Sequence, residues 1–413
     1  MLKRIQVEQL QLGMHIKEFC GSWADHPFWR TGFVIKDPKD ISLILASNIK
    51  EVMIDCSKGL DAPVEPALKT DGAKLTTVAP DATVAMASRA LPDTASVPTN
   101  QELERASRIC RRAKAAVVSM FEEARMGKAV DVGGAAELVE EISESVARNP
   151  EAIISLARLK TADDYTYMHS VAVCAMMVAL AKKLGLDEAQ TRLCGMAGLL
   201  HDMGKVAMPI EVLNKPGKLT DAEFDVIRAH PIEGHKILAA SSAVDAVSLD
   251  VVLHHHEKID GSGYPERLRS DDISLYAKMA SVCDVYDAIT SNRPYKSGWD
   301  PAESLRRMAE WSGHFDPKVF QAFVKSIGIY PVGSLVRLKS GRIGVVTEQS
   351  PTSLTTPMVK AFFSTKSNMR IVPSLVDLSL PHTLEKIIGR EDPAQWHFPD
   401  LNALWSDPNH LSQ

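Results

Sequence analysis

Gly198-Leu-Leu-His-Asp-Met-Gly-Lys205 is the stretch on which the fold of this chain turns. An apolar helix, Asp187–Asp202, ends there in two side chains of metal-ligand type, His201 and Asp202, and Gly204 closes it. Successive helical residues point ~100° apart. Two neighbouring metals that share the Asp202 carboxylate therefore suit the pair better than one metal held by both. A polar helix end, with Gly204 as the residue after the cap and Lys205 facing the helix dipole, accounts for the same letters. The rest of the chain separates the two readings.

Seven of the 13 histidines fall in one region: His169, His201, His230, His235, His254, His255 and His256. Each buried imidazole needs its own hydrogen-bond partners, so packing alone explains such a cluster poorly. A second block, His254-His-His-Glu-Lys-Ile-Asp-Gly-Ser-Gly-Tyr-Pro265, runs three histidines from a helix end into a glycine-rich turn. Pro265 and the glycines fix that turn and expose backbone N–H groups. In a third block, Asp284-Val-Tyr-Asp-Ala-Ile-Thr-Ser-Asn-Arg-Pro-Tyr-Lys296, Asp284 and Asp287 lie one turn apart on a helix face. Arg293 and Lys296 follow it and can hold phosphate oxygens.

These blocks sit in a frame of helical periodicity from about 134 to 325, including Ser170–Leu184, 221–240, 245–257 and 272–292. The fold expected is mainly α, with a small α+β module before the helices and a small β appendage after them. The module covers 1–61, with a helix at Ser42–Ala46 and a strand at Glu51–Asp55. An Ala/Pro/Thr linker without aromatic residues covers 62–99 and cannot bury enough apolar area to order itself. The helical domain covers 100–330, with its core at about 130–330. The appendage covers 331–380, in short alternating runs at Ser334–Leu338, Arg342–Thr347 and Met358–Ser364, and a polar tail covers 381–413. Leu103, Ala106, Cys110, Ala113, Val117, Met120 and Ala124 form a heptad-like seam, which packs on the following domain or on a second copy in a homodimer. Arg105, Arg108, Arg111, Arg112 and Lys114 lie mostly off it and read as a solvated face.

Composition bounds the function. With 45% hydrophobic and 24% charged residues the chain is an ordinary globular one, and a net charge of -5 leaves no basic excess for a nucleic-acid polymer. Six cysteines without a CxxC pair suggest reduced thiols. The N-terminal residues lack the apolar core of a signal peptide. The uncharged stretch Tyr165–Ala181 is short for a transmembrane segment and contains His169 and Ser170, so a buried core helix in a cytoplasmic protein is expected.

His201-Asp202-x-Gly-Lys205, His230-Pro231, His255-His256-Glu257, Asp260-Gly-x-Gly-Tyr-Pro265 and Asp284…Arg293-Pro-x-Lys296, in this order, resemble the HD-GYP family. That family is a branch of the HD phosphohydrolases that hydrolyses cyclic di-GMP, and the resemblance covers about residues 130–330. It implies an HD-type all-helical phosphodiesterase domain in bacterial second-messenger signalling, with an accessory domain in front. It assigns His169, His201, Asp202 and Asp284 to one metal, and the shared Asp202 with His230, His255 and His256 to a second. His254 and His235 match no ligand of the family. Some members complete a third site with a glutamate one turn before the first histidine. Here Tyr165 stands four residues before His169 and Asp164 five before, so two metals are expected.

Two metals ~3.5–4 Å apart bind and activate a shared water, as hydroxide, for in-line attack on phosphorus. Histidine and carboxylate ligands suit Fe or Mn, and also Ni, Co or Zn. Asp202 and Lys205 are the expected catalytic residues, with Lys205 stabilising a phosphate oxygen or donating to the leaving group. Arg293 and Lys296 are expected on phosphate, and Tyr264 on a guanine or a phosphate. Asp287 either contacts a guanine or orients a histidine. Lys258 stands where the family more often has arginine. It keeps the charge and loses the bidentate fork. The products implied are pGpG, GMP or both. The alternatives are hydrolysis of another cyclic dinucleotide, or a low-turnover module that binds cyclic di-GMP and signalling partners.

Overall fold

The computed structural model describes residues 2–20, 33–45, 50–60, 97, 99–128, 130, 132–158, 165–215, 217–241, 243–291, 298–350 and 353–406. The chain forms two compact units, Met1–Thr94 and Ala95–Gln413. Most of the expected linker lies outside the described residues.

The first unit is an antiparallel sheet of β1 (Leu2–Gln6), β2 (His15–Cys20), β3 (Phe33–Val34) and β4 (Glu51–Asp55), in the order β1-β4-β2-β3, with helix α1 (Pro38–Leu45). Alternation along β4 turns Val52 and Ile54 inward, where they meet Ile5, Met14, Ile16, Ile35 and Ile44.

The second unit begins with α2 (Thr99–Arg125), α3 (Val132–Arg148) and α4 (Pro150–Arg158). The seam of α2 is buried within this chain, against α3, α4 and the next helix, α5 (Tyr165–Leu184). Of the two alternatives for the seam, packing on the following helices is the one seen here. Its arginines are exposed, as a solvated face requires. Buried Glu102 accepts from Arg148 Nε at 2.9 Å and from Ser145 Oγ at 2.9 Å, which ties α2 to α3.

Helix α5 is buried on every side from Val171 to Ala181. It is long and apolar enough to cross a membrane, and 78% of that window is buried inside the protein, the pattern of a core helix. Helix α6 (Glu188–Leu200) starts at an Asp187–Gln190 capping box and lies close against α5. A Cβ on Gly198 would stand 3.0 Å from the Cys174 backbone. This close approach brings the end of α6 level with His169. A 3-10 turn, Met203–Ala207, follows, then α7 (Ile210–Leu213), α8 (Asp221–Ile227), α9 (His230–Ala239) and α10 (Ala246–His254). Helices α11 (Leu275–Thr290), α12 (Pro301–Glu310) and α13 (Pro317–Ile327) close the helical part.

Strands β5 (Leu335–Leu338), β6 (Arg342–Glu348), β7 (Met358–Ser364), β8 (Met369–Asp377) and β9 (Ile387–Arg390) form the second sheet, in the order β8-β7-β6-β5-β9. Residues after 381 were expected as a tail, but β9 pairs with β5, and α14 (Pro393–Trp396) and α15 (Ala403–Ser406) fold back on the sheet. Trp405 is buried in a cluster with Val332, Leu335, Ile343 and Phe362, which anchors the C-terminal residues on the sheet. Polar ties join this sheet to the helices. Arg158 donates to the Val332 carbonyl at 2.8 Å, and Arg390 pairs with Asp300 and Glu303 at the start of α12. Among the described residues Cys110, Cys174, Cys194 and Cys283 are buried thiols outside any disulfide.

Candidate metal centre

Five helices converge on one buried point. Helix α5 brings His169, the end of α6 brings His201 and Asp202, the first turn of α9 brings His230, the end of α10 brings His255 and His256, and α11 brings Asp284. All are buried except His256, which is half-buried. Gly204 does not close a helix in the left-handed region as expected. A Cβ there would stand 1.9 Å from the His230 carbonyl oxygen, so its bare backbone is what lets α9 pack on the turn after Asp202.

The seven side chains form two groups around Asp202. On one side, His169 Nε2 lies 3.2 Å from His201 Nε2, 3.0 Å from Asp284 Oδ1 and 3.4 Å from Asp202 Oδ2. On the other, His230 Nε2 lies 3.3 Å from His255 Nε2 and 3.3 Å from Asp202 Oδ1. His256 completes the second group. One carboxylate thus turns one oxygen to each group. Asp284 also reaches across, with Oδ2 3.7 Å from His256 Nδ1.

The outer nitrogens fix the tautomers. His201 Nδ1 donates to the Gly198 carbonyl at 2.8 Å, His230 Nδ1 to Ile227 at 2.8 Å, and His255 Nδ1 to Val251 at 3.0 Å. A carbonyl only accepts, so these rings carry their proton on Nδ1 and turn a bare Nε2 inward. His169 Nδ1 meets Asp287 Oδ2 at 2.6 Å. Lone pairs and carboxylate oxygens therefore converge, which is a donor set that fits divalent cations and has the outer partners typical of metal-binding histidines.

Charge and burial act differently on the members. Burial, then the positive potential of His256, His201 and His230, holds His255 well below its usual range. Burial pushes His256 down to about 3. His169 moves up: burial opposes this, and the carboxylates of Asp284 and Asp287 outweigh it. Burial also opposes ionisation of Asp202 and Asp284, yet Lys205 and His201 hold the first, and His169 and His256 the second, well below the usual carboxylate range.

Other expected residues find varied places. Lys205 Nζ donates to Asp202 Oδ2, on the oxygen that faces His169 and His201. Tyr264 stacks on His256 with centroids 4.7 Å apart. Asp287, expected on a guanine or behind a histidine, is buried on His169 and accepts from Ser291 Oγ at 3.2 Å. His254 stands outside both groups, paired with Asp250 at 2.8 Å, and half-buried His235 joins neither. Arg293, Lys296 and Asp164 lie outside the described residues, as does the side chain of Tyr165.

Two contributors were missed. Glu257 is buried and accepts the backbone N–H groups of Glu266 at 2.7 Å, Arg267 at 2.9 Å and Leu268 at 3.1 Å, which pins the loop that carries Tyr264. Its place beside two histidines marked it, but its acceptors' partners nine to eleven residues on are set by the folded loop. Arg228 lies over the Tyr264 ring, 4.9 Å from the centroid. Only its position two residues before His230 hinted at it.

Residues 141–319 match the HD domain family, and residues 2–135 match a domain of unknown function, DUF3391. The chain is 54% identical over 407 residues to "Cyclic di-GMP phosphodiesterase PA4108" of Pseudomonas aeruginosa, covering 98% of this chain and 96% of that protein. It is 38% identical over 191 residues to "Cyclic di-GMP phosphodiesterase response regulator RpfG" of Xanthomonas campestris, covering 46% of this chain and 50% of that one. It is 37% identical over 163 residues to "3'3'-cGAMP-specific phosphodiesterase 2" of Vibrio cholerae, covering 39% of this chain and 31% of that one.

Proposed function

The chain belongs to the HD-GYP family of HD-domain phosphodiesterases, and from that premise we propose that it hydrolyses cyclic di-GMP to pGpG, GMP or both. The observation that carries the reading is the division of Asp202, with Oδ2 toward His169 and His201 and Oδ1 toward His230 and His255. His169, His201, Asp202 and Asp284 would hold one divalent metal, and Asp202, His230, His255 and His256 the other. Fe or Mn is the proposed pair, and Ni, Co and Zn suit the same donors. Bound there, the two ions lower the pKa of a water and neutralise phosphate oxygens.

The protein's own groups do the rest. Asp202 and Asp284 keep their charge at neutral pH and so fix the site for cations. Asp287 and the carbonyls of Gly198, Ile227 and Val251 aim the imidazoles. The Lys205 ammonium, placed beside Asp202, stabilises a non-bridging phosphate oxygen or gives a proton to the departing ribose oxygen. Tyr264 holds His256 in place, and Arg293 and Lys296 grip phosphate. A cytoplasmic location and a regulatory role for the N-terminal module complete the proposal.

The test is anaerobic purification, loading with Mn or Fe, and chromatography of the products from cyclic di-GMP. Rapid pGpG or GMP formation supports the reading. Turnover of 3'3'-cGAMP alone, or tight binding without turnover, overturns it.

A further inference from the structure

A ladder of stacked side chains leads outward from the candidate metal centre. Tyr264 rests on His256, the Arg228 guanidinium lies over Tyr264, and the same guanidinium stands 5.9 Å from the ring of Phe224. Phe224 is 47% exposed. Arg228 caps α8, a helix none of whose residues is buried, so its position comes from the stacking rather than from a core. Its carboxylate neighbour, Asp225 at 3.6 Å, is 73% exposed, and a surface pair of that kind contributes little. A guanidinium carries its N–H groups in one plane, as a fork that matches two phosphate oxygens. Among the described residues, Lys205 is a further cation at the centre and is already engaged by Asp202.

We propose that Arg228 is a substrate-binding residue that grips the second phosphate of a cyclic dinucleotide, the one that is not being cut. This rests on the reading above, which puts the scissile phosphate at Asp202. The macrocycle then places the other phosphate one nucleotide away. Arg228 and His256 both lie against the Tyr264 ring, 4.9 Å and 4.7 Å from its centroid, which puts the guanidinium close enough to the centre to meet that phosphate. A diester with a single phosphate does not extend to it. Arg228 therefore selects for the dinucleotide without taking part in the displacement.

The experiment is steady-state kinetics of the metal-loaded full chain on cyclic di-GMP and on bis(p-nitrophenyl) phosphate, a one-phosphate diester. Arg228→Ala is expected to raise KM for cyclic di-GMP roughly 10-fold or more, the size of a lost charge-assisted hydrogen bond. It leaves kcat, metal content and the rate on the one-phosphate diester unchanged. Arg228→Lys recovers only part of the loss, because an ammonium neither stacks as a plane nor offers a fork. Equal losses on both substrates mean that Arg228 acts through Tyr264 on the metal centre, and that overturns the inference. So does an unchanged KM in an active protein. If the wild-type protein cuts the one-phosphate diester and not cyclic di-GMP, the substrate reading fails first and takes this inference with it.

Discussion

His169 and His201 face each other through Nε2: these atoms stand 3.2 Å apart while each ring is already engaged through Nδ1, His169 by Asp287 and His201 by the Gly198 carbonyl. Two ring nitrogens held that close inside a protein need a positive charge between them. Asp202 and Asp284 supply the matching negative charge.

Removing the shared carboxylate undoes both groups at once. Asp202→Ala is expected to abolish turnover and to strip bound metal, read by metal analysis and product chromatography on the same preparation. Unchanged metal content and rate in that variant contradict the division of its two oxygens.

Asp287 is placed to act on His169. Asp287→Asn is expected to weaken metal affinity ~10–100-fold, as loss of such an outer partner does. Excess metal restores kcat, and KM for cyclic di-GMP stays unchanged. A raised KM at full metal occupancy would make Asp287 a substrate contact instead.

Glu257 holds the loop that carries Tyr264 through three backbone N–H groups. Glu257→Ala leaves those donors without their acceptor, at a cost of about 1–3 kcal/mol each where water cannot replace it. Urea unfolding reads the loss. Wild-type stability in this variant means that the loop is held by other contacts.

Glu151 links α4 to the second sheet by accepting from the Gln349 N–H at 3.0 Å. Burial first, and then the charge of Glu348, pushes its carboxyl up to about 8, against the Gln349 and Thr99 hydrogen bonds. The folded chain therefore keeps a proton that the unfolded chain releases near the ordinary 4.5. Stability from this group is present below 4.5 and is lost as pH rises through about 8. Glu151→Gln is expected to flatten the fall in melting temperature between those limits. An unchanged slope contradicts this.

Much of this was legible in the sequence because ligand chemistry is local. His201-Asp202 and His255-His256 each sit at a helix end, and Asp284 recurs one turn from Asp287, so residue type and spacing marked candidates, while the resemblance to the HD-GYP family assigned His169, His230 and the full ligand set. The strand Met358–Ser364 was legible to the residue for a similar reason, since its pattern is self-contained. What the letters do not carry is the partner. The α2 seam announced a buried face, but whether α3 to α5 or a second copy covers it depends on the whole helical packing. Glu257 holds a loop through backbone amides and Arg228 lies over an aromatic ring, contacts that leave no periodicity. Trp405 looked like part of a tail because its hydrophobic partners are distant in sequence.

The most direct test is anomalous diffraction from crystals of the anaerobically metal-loaded protein. The account predicts two peaks on either side of Asp202, one among His169, His201 and Asp284 and the other among His230, His255 and His256. A single peak, or peaks away from both oxygens of Asp202, would contradict it.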